Sequence, residues 1–182
     1  MNNYAFIDTQ NVHRGIKSLG WKLDWRKFRV YLKDKYAVQK AYLFIGFIED
    51  NQKLYEHLQE CGFILMFKPT VLIGNGKIKG NCDADLVLHA ILKIENYDKA
   101  MVVSSDGDFY SLVKHLYDND KLLFVFSPYV KTCSRLLRRQ AKEKIYSMDN
   151  LRRKIGMENE NAPRSHKGYE MHFPMDARSV AK

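Results

Sequence analysis

The chain has 182 residues, 46% of them hydrophobic, and carries a net charge of +9 at pH 7 with a pI of about 9.4. That size and apolar content suit one domain with a single substantial core and a tail. No segment reaches the roughly 18 uncharged apolar residues of a membrane span, and the N-terminus lacks the basic-then-apolar layout of a signal peptide, so the expectation is a soluble cytoplasmic protein with no membrane partner. Cys61, Cys82 and Cys133 form no C-x-x-C pair, which argues against a disulfide framework or a zinc site. The positive charge favours a polyanionic partner such as nucleic acid.

Short runs rich in Val, Ile and Phe alternate with segments of helical period, the pattern of βα units around a parallel sheet. Strands are predicted over 4–7, 39–47, 63–67, 100–104 and 122–126, and helices over 9–19, 25–36, 51–61, 81–95 and 109–118. Gly62 stops the third helix in the usual C-terminal position. Beyond the fifth strand come a basic helix over 132–139, a short strand over 144–148 and a small capped helix over 149–155. Residues 73–80, Ile-Gly-Asn-Gly-Lys-Ile-Lys-Gly, read as a Gly- and Lys-rich loop. The periodicity fades after position 156, so 1–156 is expected as the domain and 157–182 as a flexible basic tail.

Parallel α/β sheets bind ligands beyond the carboxyl ends of their strands, where the connections diverge. The first predicted strand ends at Asp8, and the fourth runs into Ser104-Ser105-Asp106-Gly107-Asp108. Taken singly, Asp8 fits a helix cap, and Ser105 with Asp108 fits a capping box. Taken together on neighbouring strands, these acids would repel one another unless a cation relieved them, which favours a metal site. On the helix from position 81, residues 85, 89 and 93 form a polar stripe that places Asp85 and His89 toward solvent. Asp83 lies above Val87 and Ala90 on the apolar face, which makes it the better candidate ligand. Asn11, one turn into the first helix, is placed to orient a water or a phosphate oxygen. Carboxylates holding Mg²⁺ or Mn²⁺ would activate a water for attack on phosphorus and neutralise the leaving oxygen.

Three ordered motifs carry a resemblance: Phe6-Ile7-Asp8-x-x-Asn11, then Lys79-Gly80-Asn81-Cys82-Asp83-x-Asp85-Leu86, then Val103-Ser104-Ser105-Asp106-Gly107-Asp108-Phe109. With them the chain resembles the NYN domain, in the LabA-like branch of the PIN-like nuclease superfamily, over about residues 4–155. The resemblance implies a Rossmann-like three-layer α/β sandwich with a mostly parallel sheet, its predicted strands in the order 3-2-1-4-5. It also implies a metal-dependent ribonuclease in which Asp8, Asp83, Asp106 and Asp108 form the acidic quartet with Asn11 beside them. His89 stands where many relatives carry a further Asp.

Lys77 and Lys79 precede Asp83, and Lys131, Arg135, Arg138, Arg139 and Lys142 follow the fifth strand, several on one helical face. They are expected to rim the acidic site and meet phosphates. Tyr129, Tyr110 and Phe47 lie near strand ends and are candidates for base stacking, though core packing is the commoner role of such rings. Trp21 and Trp25 are expected to pack the early helices. Single-stranded RNA is the expected substrate, because A-form duplexes hide their base edges. The dinucleotide-binding Rossmann reading fails because Asp8-Thr9-Gln10-Asn11 replaces a glycine fingerprint, and no P-loop is present. A catalytically weak NYN module that binds RNA or recruits a partner is the alternative, and homo-oligomerisation stays open.

Overall fold

The computed structural model describes residues 1–69, the backbone of 71–73 and 77–79, and residues 82–158. The strands are β1 (Asn3–Asp8), β2 (Val38–Gly46), β3 (Ile64–Lys68), β4 (Val71–Ile73), β5 (Lys77–Lys79), β6 (Ala100–Val103), β7 (Leu122–Ser127) and β8 (Ile145–Ser147). The helices are α1 (Thr9–Ser18), α2 (Trp25–Tyr36), α3 (Gln52–Glu60), α4 (Asp83–Leu92), α5 (Tyr110–Asp118), α6 (Arg135–Ala141) and α7 (Arg152–Ile155).

Six strands form one sheet in the order β3-β2-β1-β6-β7-β8, and every pairing in it is parallel. The predicted order holds, with β8 added beyond the fifth predicted strand. The chain winds outward from β1 through β2 to β3, then returns to the other side of β1 as β6. That reversal leaves a crevice at the carboxyl ends of β1 and β6, where Ile7 pairs with Val103.

The sheet is covered on both faces, which is why its strands read as nearly unbroken apolar runs. Alternate residues of β1 divide between the layers. Ala5 and Ile7 pack with Val12, Ile16, Phe28, Leu32 and Leu58 from α1, α2 and α3. Tyr4 and Phe6 pack with Leu86, Ala90, Leu112, Leu116 and Leu137 from α4, α5 and α6. Trp21 and Trp25 join the first of these cores, as expected, with Trp25 edge-on to Phe63. α2 is closed at both ends by its own sequence: Asp24 accepts from Lys27 N at its start, and Ala37 takes a left-handed conformation (φ 53°) at its end.

The end of the domain is tied back to its beginning. Ile155 is buried in the first core, Asp24 N donates to Ile155 O (2.9 Å), Leu23 bridges to Gly156, and Met157 N donates to Lys22 O (2.9 Å).

Two expectations change. The segment expected as a Gly- and Lys-rich loop contains β5, which pairs antiparallel with β4 at its start, and residues 74–76 and 80 lie outside the described residues. The basic helix begins at Arg135, because Val130–Thr132 form a 3-10 turn before it. Of the expected tail, residues 159–182 lie outside the described residues.

Candidate active site

Asp8 is the last residue of β1 and the N-cap of α1, so both readings of its sequence position hold at once. Its Oδ1 accepts from Asn11 N (3.1 Å), and its Oδ2 accepts from Ser104 Oγ (3.2 Å). Ser104 in turn accepts from Asp106 N (3.1 Å), so one hydroxyl links the acid at the end of β1 to the acid after β6. The Asp106 carboxylate caps the short turn Gly107–Phe109 by accepting from Asp108 N (3.1 Å). This replaces the expected capping box. Ser105 does not cap, since its hydroxyl bonds the Ser127 hydroxyl (3.0 Å) at the end of β7.

Among the described residues, Asp83, Asp106 and Asp108 each offer a carboxylate oxygen within 4.8 Å of the others. Asp83 arrives from the first turn of α4, and the other two from the turn after β6. Asp8 stands beside this trio rather than within it. Burial, reinforced by the charges of Asp83 and Asp106, pushes its carboxyl up to about 7. Cys82, just before α4, is pushed up to about 12 by burial and by the nearby charge of Asp8 and then Asp85, so it stays a neutral thiol.

Hard carboxylate oxygens at this separation match the donor set of Mg²⁺ or Mn²⁺. Structural zinc sites draw on thiolate and imidazole, and the trio contains neither.

The remaining predicted residues sort clearly. Asp85 is exposed and pairs with Lys68 (2.6 Å), bracing the end of β3 against α4. His89 is not turned to solvent as its polar stripe implied. Its ring packs edge-on to Tyr42 (4.7 Å between centroids), Phe44 and Phe6, and burial lowers its pKa. The stripe is polar in composition, but α4 lies on the sheet through that side. The buried His89 Nε2 has no hydrogen-bond partner among the described residues.

Asn11 has a structural task beyond the expected contact with water or phosphate: its Oδ1 accepts from Ser105 N (2.8 Å) and pins α1 to the loop carrying Asp106. Ser104 was missed as a site residue, although its place between strand and acidic loop could have marked it.

Of the predicted basic residues, Lys131, Arg135, Arg138 and Arg139 are exposed on the 3-10 turn and on α6. Arg138 also donates to the Val130 carbonyl. α6 is anchored to the acidic turn, since Ser134 N donates to Ser105 O (3.0 Å). The side chains of Lys77 and Lys79 lie outside the described residues. Lys142 sits over the Tyr117 ring (4.3 Å). Phe47 packs against Tyr55 and Phe67 in an aromatic cluster that is partly exposed, and Tyr110 is exposed at the start of α5.

Gly107 is where this anchoring is tightest. A Cβ there would lie 2.5 Å from Ser134 Oγ and 3.1 Å from Ser134 Cβ. Ser134 Oγ could rotate away only by giving up its bond from Leu136 N, the cap of α6. Gly107→Ala is therefore expected to destabilise the protein by about 1–2 kcal/mol, from the lost cap and local overpacking. In thermal melts the midpoint should fall by several degrees, and the additional change Ser134→Ala should restore part of the loss.

The protein is a three-layer α/β sandwich with carboxylates gathered at the switch point of its sheet. The chain belongs to the NYN domain family, whose model matches residues 4–149. Among solved structures, it is similar to a protein of unknown function from Vibrio parahaemolyticus, with a TM-score of 0.70 and 22% identity, covering 86% of this chain and 96% of that one. A structure of T5 5'-exonuclease with divalent metal ions (zinc) bound is more distantly similar, with a TM-score of 0.46 and 17% identity, covering 76% of this chain and 60% of that one. No curated protein matches the chain.

Proposed function

We propose that the protein is a Mg²⁺- or Mn²⁺-dependent endoribonuclease that hydrolyses phosphodiester bonds of single-stranded RNA, in the LabA-like branch of its family. Membership of the NYN family supports a nuclease-type function. The observation that carries the metal-dependent reading is the convergence of Asp83, Asp106 and Asp108 within 4.8 Å beside a fourth acid, Asp8. Three carboxylates that close repel one another strongly in a partly covered crevice, and a divalent cation turns the repulsion into binding.

When bound, the cation neutralises charge on the phosphoryl group and acidifies the water that attacks phosphorus. The protein supplies the rest. Asp83, Asp106 and Asp108 hold the cation against the crevice, and Ser104 and Asn11 keep the two acidic segments in register. Asp8, at the end of β1 beside the trio, would bring the fourth carboxylate of the site to the cation. Lys131, Arg135 and Arg139 provide a positive rim for the flanking phosphates, with Lys77 and Lys79 expected to extend it. All of this is electrostatic and positional, and no side-chain nucleophile is needed.

The test is incubation of purified protein with labelled single-stranded RNA, with Mn²⁺, with Mg²⁺ and with a chelator, alongside Asp106→Asn. Cleavage that requires the metal and falls at least about a hundredfold in Asp106→Asn supports the proposal. Cleavage unchanged by the substitution would show that the activity belongs to another protein. RNA that is bound but never cut, under any metal, would favour the alternative of a catalytically weak RNA-binding or partner-recruiting NYN module.

A further inference from the structure

Beside Asp106 a cleft of about 400 Å³ opens between α1 and the segment joining β7 to α6. It is small for a ligand site and takes one nucleotide unit rather than a duplex. Two glycines line it where the walls press on their neighbours: a Cβ at Gly15 would lie 2.6 Å from Pro128 Cβ, and one at Gly107 would meet Ser134.

Besides Asn11, Ser105 and Asp106, which belong to the acidic site, the polar groups lining the cleft come from Arg14 and Ser18, one turn apart on α1, and from Thr132 and Ser134. Their hydrogen bonds decide what each can offer. The Ser18 hydroxyl donates to the Gly15 carbonyl (2.7 Å), and the Thr132 hydroxyl donates to the Tyr129 carbonyl (3.1 Å). A hydroxyl has one proton, so toward a ligand these two oxygens can only accept. Ser134 Oγ is used as an acceptor by Leu136 N (3.2 Å) and has its proton to give. Arg14 adds a guanidinium suited to phosphate. A ligand that suits Arg14, Ser134 and Thr132 carries an anion together with a hydroxyl donor, and a ribose phosphate within a strand has both. A deoxyribose has lost the 2'-hydroxyl, the one sugar donor that is free within a strand.

We propose that this cleft holds the ribose and phosphate of the nucleotide next to the scissile bond, with Arg14 and Ser134 on the phosphate and Thr132 accepting from the 2'-hydroxyl of the sugar. The proposal rests on the nuclease reading for its place beside the scissile bond, but binding can be measured without catalysis. Recognition of RNA over DNA then comes from the pre-committed hydroxyl of Thr132 rather than from the acidic trio.

The experiment uses the full chain in chelator, with fluorescently labelled RNA and DNA of one unstructured sequence, read by anisotropy across a salt series. Arg14→Ala should weaken both ligands about tenfold, as the loss of a charged hydrogen bond implies, and reduce the salt slope by about one; Arg14→Lys should retain part of the affinity. Thr132→Val, equal in shape but without the acceptor, should weaken RNA about fivefold and leave DNA unchanged, so that the RNA preference narrows. Arg14→Ala and Thr132→Val proteins that bind as the parent does, or a Thr132→Val loss equal for RNA and DNA, would overturn the proposal. So would a parent protein that binds neither strand. Binding with these effects but no metal-dependent cleavage would leave the cleft in place and remove the nuclease reading. Cleavage lost in Asp106→Asn, with Arg14 and Thr132 indifferent, would do the reverse.

Discussion

Substituting Asp83 by Asn is expected to move the stability of the protein in opposite directions with and without metal. In the absence of a cation, Asp83 adds repulsion to the cluster it forms with Asp106 and Asp108, and it also raises the pKa of Asp8. Asparagine retains the size and removes the charge, so the metal-free variant should melt higher than the parent. With Mn²⁺ present the order reverses, because a ligand that binds only the folded state stabilises it by RT ln(1 + [L]/Kd). Loss of one of three carboxylates should weaken Mn²⁺ binding on the order of a hundredfold, which removes about 2.7 kcal/mol of stabilisation at saturating metal. Titration calorimetry measures the affinity, and paired melts measure the crossing. A variant that melts lower in both conditions would assign Asp83 a purely structural role.

The second large effect concerns pH. Asp8 has its carboxyl raised from 3.8 to about 7 by burial first, then by its acidic neighbours. The folded protein therefore holds a proton there that the unfolded chain has released. The stability contributed is complete below about pH 4 and is lost as pH rises to about 7; above that it stays flat. A shift of this size corresponds to a few kcal/mol. Asp8→Asn cannot ionise yet still caps α1, since asparagine serves well at that position. The metal-free variant should match the parent near pH 4 and exceed its melting temperature by several degrees at pH 8. Metal binding by the parent should strengthen with pH until about 7, as the Asp8 proton ceases to compete, and the variant should lack that rise. Equal melting profiles at both pH values would show that Asp8 is not held in this way.

Much of the architecture was legible because each central strand is buried on both faces and so reads as an apolar run. The adjacency of β1 and β6 followed from the resemblance, and with it the meeting of Asp8 and the Asp106 loop. Three features were not read, each for a physical reason. The segment carrying β5 reads as a loop because Gly and Lys dominate it, although Asn75-Gly76 between Ile73 and Ile78 is a hairpin signal. His89 reads as solvent-facing because helical periodicity reports which residues share a side, not which side meets the sheet. Tyr42 and Phe44, more than forty positions away, decide that. Ser104 and the full part played by Asn11 were invisible because their value lies in bonds across the crevice, to Asp8 and to Ser105. Sequence spacing locates charged groups well. It does not show which neutral groups keep them at the right separation.

The ties between Lys22–Asp24 and Ile155–Met157 bear on where the domain can be cut. The family match stops at residue 149, before this seam begins. A chain trimmed to the matched span would lose Ile155 from the first core and leave Asp24 N, at the doorway of α2, without its acceptor. Trp21 and Leu23, now sheltered, would face water along the same margin. The smallest stable piece therefore runs to at least residue 158. Its last few residues behave as a latch on the side of the sheet that carries α1 and α2, away from the helices that bring Asp83 and the basic residues to the crevice.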